Sequence, residues 1–208
     1  MVKLTGPSLS AAASGSIANT VTFSKCKGQN YLRKHAIPAN PKTALQTSTR
    51  CMLRFLSQAW KSIDTTPKAS WAARAAELNL SPYHAFIKAN LQRWTQFHSP
   101  SQTDPSPQTG TQPYATFHQC YGAPGCAHLL FKIYTLQNVW GFIIFRSTAS
   151  SFPTGPSNAI HILPVTETGD LPYIDSDLDP GTYYYNARHF TTEGLLAAEE
   201  SERSAIVT

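Results

Sequence analysis

"YIDSDLDPGTYYYNARHF", residues 173–190, is the stretch whose reading decides the fold. Its second half, 182–190, carries Tyr183, Tyr184, Tyr185 and Phe190, aromatic residues that fit a pleated, half-buried surface. Its first half is polar and ends in Pro180-Gly181, a turn signal. The segment therefore reads as a strand entered from a corner. Working outward, "YATFHQC" (114–120), "CAHLLFKIYTL" (126–136), "VWGFIIFRS" (139–147) and "NAIHILPV" (158–165) are equally short and are separated by Gly, Pro or Asn. Closely spaced strands of this kind predict an all-β sandwich over 114–208.

Upstream the period changes. Leu45, Met52, Phe55, Leu56, Ala59, Trp60 and Ile63 recur at steps of three and four, as on one face of a helix. Asn40-Pro41 offers a cap followed by a first-turn proline. The device returns at Thr66-Pro67, ahead of Trp71, Ala75 and Leu78. It returns again at Ser81-Pro82, ahead of Phe86, Ile87, Leu91 and Trp94. Three helices over 40–97 follow. Before them, "GSIANTVTFSKCKGQNYLRKH" (15–35) places Ile17, Val21 and Phe23 on one parity and reads as a β-hairpin turning at Gly28. A hairpin is marginal alone and needs a surface to pack on. Residues 98–113 hold four prolines and no large apolar residue, and read as a semi-stiff linker.

The expected class is thus α+β. Residues 1–39 form an extended basic arm with a hairpin, 40–97 a three-helix module, 98–113 a linker and 114–208 an all-β sandwich.

Charge divides the chain in the same way. Residues 1–100 hold 13 Lys and Arg against Asp64 and Glu77, a net of +11. Residues 101–208 hold four against ten acids, a net of −6. The basic half seeks an acidic partner, either nucleic acid or an acidic protein surface. Charged residues make up 14% of the 208, well under the usual share of about 25%. The longest apolar run, 139–145, is far shorter than the roughly 20 residues of a membrane helix. No continuous apolar segment of a signal peptide is read near the N-terminus.

Two resemblances add to this. Residues 141–153, "GFIIFRSTASSFP", and the stretch 173–190 resemble the third strand and the strand-entry corner of fibronectin type III and related immunoglobulin-like domains. The resemblance implies that Leu178 and Pro180 shape the corner, with Tyr183 or Tyr184 as the corner tyrosine. It also implies that Leu130 or Phe131 stands where the family has a tryptophan. Residues 15–97 resemble a group of small phage and prophage proteins. The carrying segments are "GSIANTVTFSKCKGQNYLRK", "PANPKTALQTSTR", "IDTTPKASWAA" and "SPYHAFIKAN", in that order. This resemblance implies a phage structural or morphogenesis protein.

Catalytic signatures are missing: no nucleophile elbow, zinc-protease helix, phosphate loop or EF-hand loop is present. Cys126 and His128, two apart on one strand, could form a nucleophile pair, but residues i and i+2 of a strand share a face and packing is the favoured account of them. Asp170, Asp175, Asp177 and Asp179 resemble a calcium loop in spacing but lack its Gly and Glu. Cys120 and Cys126 flank a turn, and the four cysteines are expected to be reduced thiols. No enzyme activity, cofactor or metal is expected. The expected partner-binding residues are Ile17, Val21, Phe23, Lys25, Lys27, Tyr31, Arg33 and Lys34. The expected partners are a major capsid protein, other virion proteins or copies of this chain, with nucleic acid second and membrane excluded. The expected role is a virion decoration or cement protein assembled in the bacterial cytoplasm. The alternatives are a tail or connector component, or a DNA-binding protein.

Overall fold

The computed structural model describes residues 15–17, 20–26, 29–35, 42–108, 115–136 and 138–208. The chain divides into two compact units, 1–41 and 42–208. Lys27, Gly28, Asn40 and Pro41 lie outside the described residues, as do 1–14 and 109–114.

In the first unit, β1 (Gly15–Ile17), β2 (Val21–Cys26) and β3 (Gln29–Lys34) form an antiparallel sheet in that order. The expected hairpin is present as β2–β3, and β1 widens it to three strands. Val21 lies opposite Lys34, Thr22 opposite Arg33 and Phe23 opposite Leu32.

The second unit begins with α1 (Ala44–Ser62), α2 (Thr65–Leu78) and α3 (Pro82–Thr95). Ser81 caps α3 as expected: its Oγ accepts from the His84 N–H at 3.3 Å, with Pro82 in the first turn. The other two starts differ from expectation. Thr43, not Asn40, caps α1, its hydroxyl accepting from the Gln46 N–H. Asp64, not Thr66, precedes α2, which places Pro67 inside the first turn, where a missing N–H costs nothing.

Seven strands follow: β4 (Ala115–Ala123), β5 (Cys126–Ile133), β6 (Val139–Ser147), β7 (Ala159–Pro164), β8 (Gly169–Ser176), β9 (Gly181–Thr191) and β10 (Arg203–Val207). They make two antiparallel sheets, β4-β5-β8 and β10-β9-β6-β7, stacked as an immunoglobulin-like sandwich. Sequence reading missed β8 and β10. Tyr183 is the corner tyrosine, its hydroxyl donating to the Asp179 carbonyl at 3.1 Å. Phe131 fills the core, stacked on Phe117 at 5.1 Å and tilted against Phe142 at 4.7 Å. At the edge where β4 meets β10, only glycine fits at 122, because a Cβ there would lie 1.7 Å from the Ile206 carbonyl oxygen.

The expected separate helical module and linker require correction. Phe55 of α1 packs edge-on against Trp140 at 5.1 Å and Phe190 at 5.4 Å. Met52, Trp71, Phe86 and Trp94 share one buried cluster with Ile143, Phe145 and Ile162 of the sheet. Helices and four-stranded sheet are therefore layers of one body. Over its described part, 98–108, the linker is bonded to that body. Buried Asn90 donates to the Ser101 carbonyl at 3.1 Å and accepts from the Ser101 N–H at 2.7 Å. Arg93 donates to the carbonyls of Ser99 and Gly194, and Trp71 Nε1 donates to the Gln102 carbonyl. Gly194 has φ +83°, and a Cβ there would sit 2.4 Å from the Ser106 hydroxyl. Proline-rich composition signals the absence of regular structure. It does not signal distance from the core when buried side chains supply the backbone's partners.

Candidate interaction surface

The eight residues expected to bind a partner belong to the arm, and the strand register sorts those whose side chains are described. Val21, Phe23, Leu32 and Lys34 share one face of β2–β3, whereas Thr22 and Arg33 share the other. Ile17 is the register partner of Val21. Lys25 and Tyr31 lie within β2 and β3, and Lys27 lies outside the described residues. The expected set is thus split between faces: Val21, Phe23 and Lys34 on one, Arg33 on the other. One partner surface cannot meet both unless it wraps the sheet.

Val21 and Phe23 are half-buried, and Lys34 and Arg33 are exposed. Leu32, absent from the expected set, is 59% exposed directly opposite Phe23. Its signal was its place one residue off the Tyr31–Arg33 parity. Thr22 Oγ1 lies 3.1 Å from His35 Nδ1, tying the end of β3 back to β2.

The other chemical candidates resolve differently. Cys126 Sγ lies 3.6 Å from His128 Nε2, and the His128 ring stacks flat on Tyr121 with centroids 5.0 Å apart. No third group hydrogen-bonds that imidazole among the described residues, so no oriented base is assembled. Cys120 and Cys126 are both free thiols: Cys120 lies opposite Leu129 and Cys126 opposite Ala123. Burial pushes the Cys120 thiol up to about 12. Of the four aspartates, Asp175 is buried and spoken for. It accepts from Arg146 at 2.7 Å and from the Tyr185 hydroxyl at 2.8 Å. Burial, the Asp175 charge and that hydrogen bond together hold the Tyr185 phenol above its ordinary range. This triad joins β6, β8 and β9 across the two sheets. Among the described residues no group of three His, Cys, Asp or Glu could hold a metal.

Trp71 and Trp94 are 1% exposed and belong to the core, as the helical periodicity predicted. Trp60 is half-buried under the Lys68 ammonium, 5.4 Å from its ring. A polar cleft of about 480 Å³ lies at the start of α1, lined by Lys42, Thr47, Arg146, Ser157, Asn158 and Tyr183. Its Arg146 charge is already paired with Asp175. No helix among the described residues is long and apolar enough to cross a membrane.

No family model matches the chain, and no curated protein matches it. Solved structures do. A Fn3-like protein from Clostridium thermocellum is 17% identical, covering 47% of this chain and 96% of its own, with a TM-score of 0.35. The chicken CNTN1 FN1-FN3 domains are 13% identical over 48% of this chain and 34% of theirs, TM-score 0.35. The PmoD soluble domain from Methylocystis sp. is 14% identical over 48% of this chain and 95% of its own, TM-score 0.31. The C-terminal part of the chain is similar to fibronectin III-like and immunoglobulin-like domains.

Proposed function

We propose that this chain is a phage virion structural protein, a capsid decoration or cement protein. Its arm is the attachment element and its helix-backed sandwich is the displayed body. The observation that carries the attachment role is the arm itself. It is a three-stranded sheet counted as its own unit, with Leu32 exposed beside half-buried Phe23 and Val21. A small sheet gains much of its stability from what it packs on. The exposed cations Arg33 and Lys34 add attraction to an acidic protein surface. The virion setting rests on the motif resemblance of residues 15–97 to small phage proteins. Repetition of weak contacts over a multi-copy shell supplies avidity. No catalytic role is proposed, since Cys126–His128 lacks an orienting partner.

Mass spectrometry of purified particles tests this reading. The protein should be present in many copies per particle. Presence in infected-cell extract with absence from particles would overturn it. A salt titration against duplex DNA separates the nucleic-acid reading. A phosphate-binding arm would weaken with a log–log slope of about −0.9 per phosphate neutralised. Capsid binding that buries Val21, Phe23 and Leu32 should persist at moderate salt, because apolar burial is not screened.

A further inference from the structure

The seam between α1 and the end of β7 is not closed. A cavity of about 220 Å³ lies there, lined by residues of the body 42–208. Phe55 of α1 and Trp140 of β6 form its inner wall, 4% and 7% exposed. The gap has a cause in the sequence. Next to Phe55, α1 turns the short side chains of Ala59 and Ser62 to the seam, and they leave the space before Val165 unfilled. The Val165 N–H donates to the Trp140 carbonyl at 3.1 Å, so that wall is held by the sheet.

The inner wall decides what chemistry fits. Phe55, Trp140 and Phe190 pack edge to face around one another, with centroids 5.1, 5.4 and 6.0 Å apart. Aromatic rings favour such neighbours over flat sandwiches. A fourth ring in the cavity would meet two of the three and continue the arrangement, whereas an aliphatic molecule would only fill the volume. Size admits a ring system: a cavity of roughly 150 Å³ inside a protein accommodates benzene. The mouth is polar and uncharged. Gln58, Ser62 and Thr166 are exposed there, and no described lining residue carries a charge. Neither the Gln58 amide nor the Thr166 hydroxyl has a hydrogen-bond partner among the described residues. An apolar pocket with a few polar groups to fix orientation is the usual form of a small-molecule site.

We propose that this cavity binds a small neutral aromatic molecule, one ring or two fused. The ring lies against Phe55 and Trp140, and one polar substituent meets Gln58 and Thr166 at the mouth. The site belongs to the body and depends neither on the arm nor on the virion reading.

The test uses the full-length protein labelled with 5-fluorotryptophan. Its four tryptophans, Trp60, Trp71, Trp94 and Trp140, each give a ¹⁹F resonance, and that of Trp140 is the one lost in Trp140→Phe. Indole and phenol are titrated, with cyclohexanol and benzoate as the aliphatic and charged comparisons. The expected result is a saturable shift of the Trp140 resonance with indole and phenol, while those of Trp71 and Trp94 stay in place. Cyclohexanol and benzoate should bind roughly tenfold more weakly. Ala59→Leu puts a side chain into the gap and should abolish the shift in a folded protein. Should it overpack the helix, Ser62→Phe closes the mouth from an exposed position. Thr166→Val should weaken phenol by about threefold and leave toluene, which has no polar group, unaffected. A Trp140 resonance that does not move with indole or phenol would overturn the proposal. So would cyclohexanol binding as tightly as phenol, an undiminished shift in either filled variant, or equal losses of phenol and toluene in Thr166→Val.

Discussion

The two sheets of the sandwich differ in what covers them, and their central strands record the difference in sequence. In β5, buried and half-buried residues alternate from Cys126 to Ile133, since one side meets the other sheet and no described element of 42–208 covers the other side. In β6, Val139 to Phe145 are all buried. Phe142 and Ile144 face the opposing sheet, and Ile143 and Phe145 face the helices. An unbroken apolar run within an antiparallel sheet therefore marks a strand with layers on both sides, and alternation marks one with a free side. Coverage is thus a property of each face of a sheet.

The largest effect should come from removing the covering contact. Phe55→Ala takes away a side chain 4% exposed that meets both Trp140 and Phe190. It should destabilise the body by about 3–5 kcal/mol. Helix and sheet signals should still unfold together in denaturant. Helices melting first, with the sheet transition unmoved, would break the comparison.

Next comes the pin between the sheets. Asp175→Ala leaves Arg146 without its carboxylate and should cost about 2–4 kcal/mol, with Arg146 partly exposed and so partly rescued by water. Tyr185→Phe keeps the ion pair, removes one hydrogen bond and should cost about 1–1.5 kcal/mol. Equal losses from the two would contradict the assignment of Asp175 as the shared acceptor.

The smallest effect is a pH dependence. His161 on β7 stacks on Tyr173 of β8 at 4.7 Å. Burial, helped by the Arg54 charge, lowers its proton affinity below the ordinary value of about 6.5. The folded state then binds fewer protons than the unfolded one. Stability should be fully present above pH 6.5 and should fall as pH drops from about 6.5 to the folded value. His161→Gln should flatten that part of the profile in thermal melts. An unchanged slope would remove His161 from the account.

Much of this was legible. The strand runs from 114 to 165 and from 182 to 190, the three helices and the corner at Leu178–Gly181 all follow from period and turn chemistry. Three features were harder to read. β10, Arg203–Val207, is a five-residue edge strand whose Ile206 points to solvent, so its apolar signal is short. β8 carries Asp170, Pro172 and Asp175, residues rare in strands, and was read as a ligand-like acidic stretch. The packing of 98–108 depends on Asn90 and Arg93, long-range polar partners that no local pattern announces. For the candidate surface, the β2–β3 hairpin was legible, but β1 and the sidedness of the sheet were not. One residue of register separates Leu32 from Arg33, and only the pairing shows which of them faces Phe23.

The central proposal is that the arm, and not the body, makes the attachment to particles. The direct measurement is retention on particles of the full chain and of a chain lacking residues 1–38, each added to particles from which the protein is missing. The account predicts that the full chain co-sediments with particles, whereas the shortened chain stays in the supernatant with an unchanged melting temperature. Co-sedimentation of the shortened chain at full occupancy would place the contact on the body and contradict it.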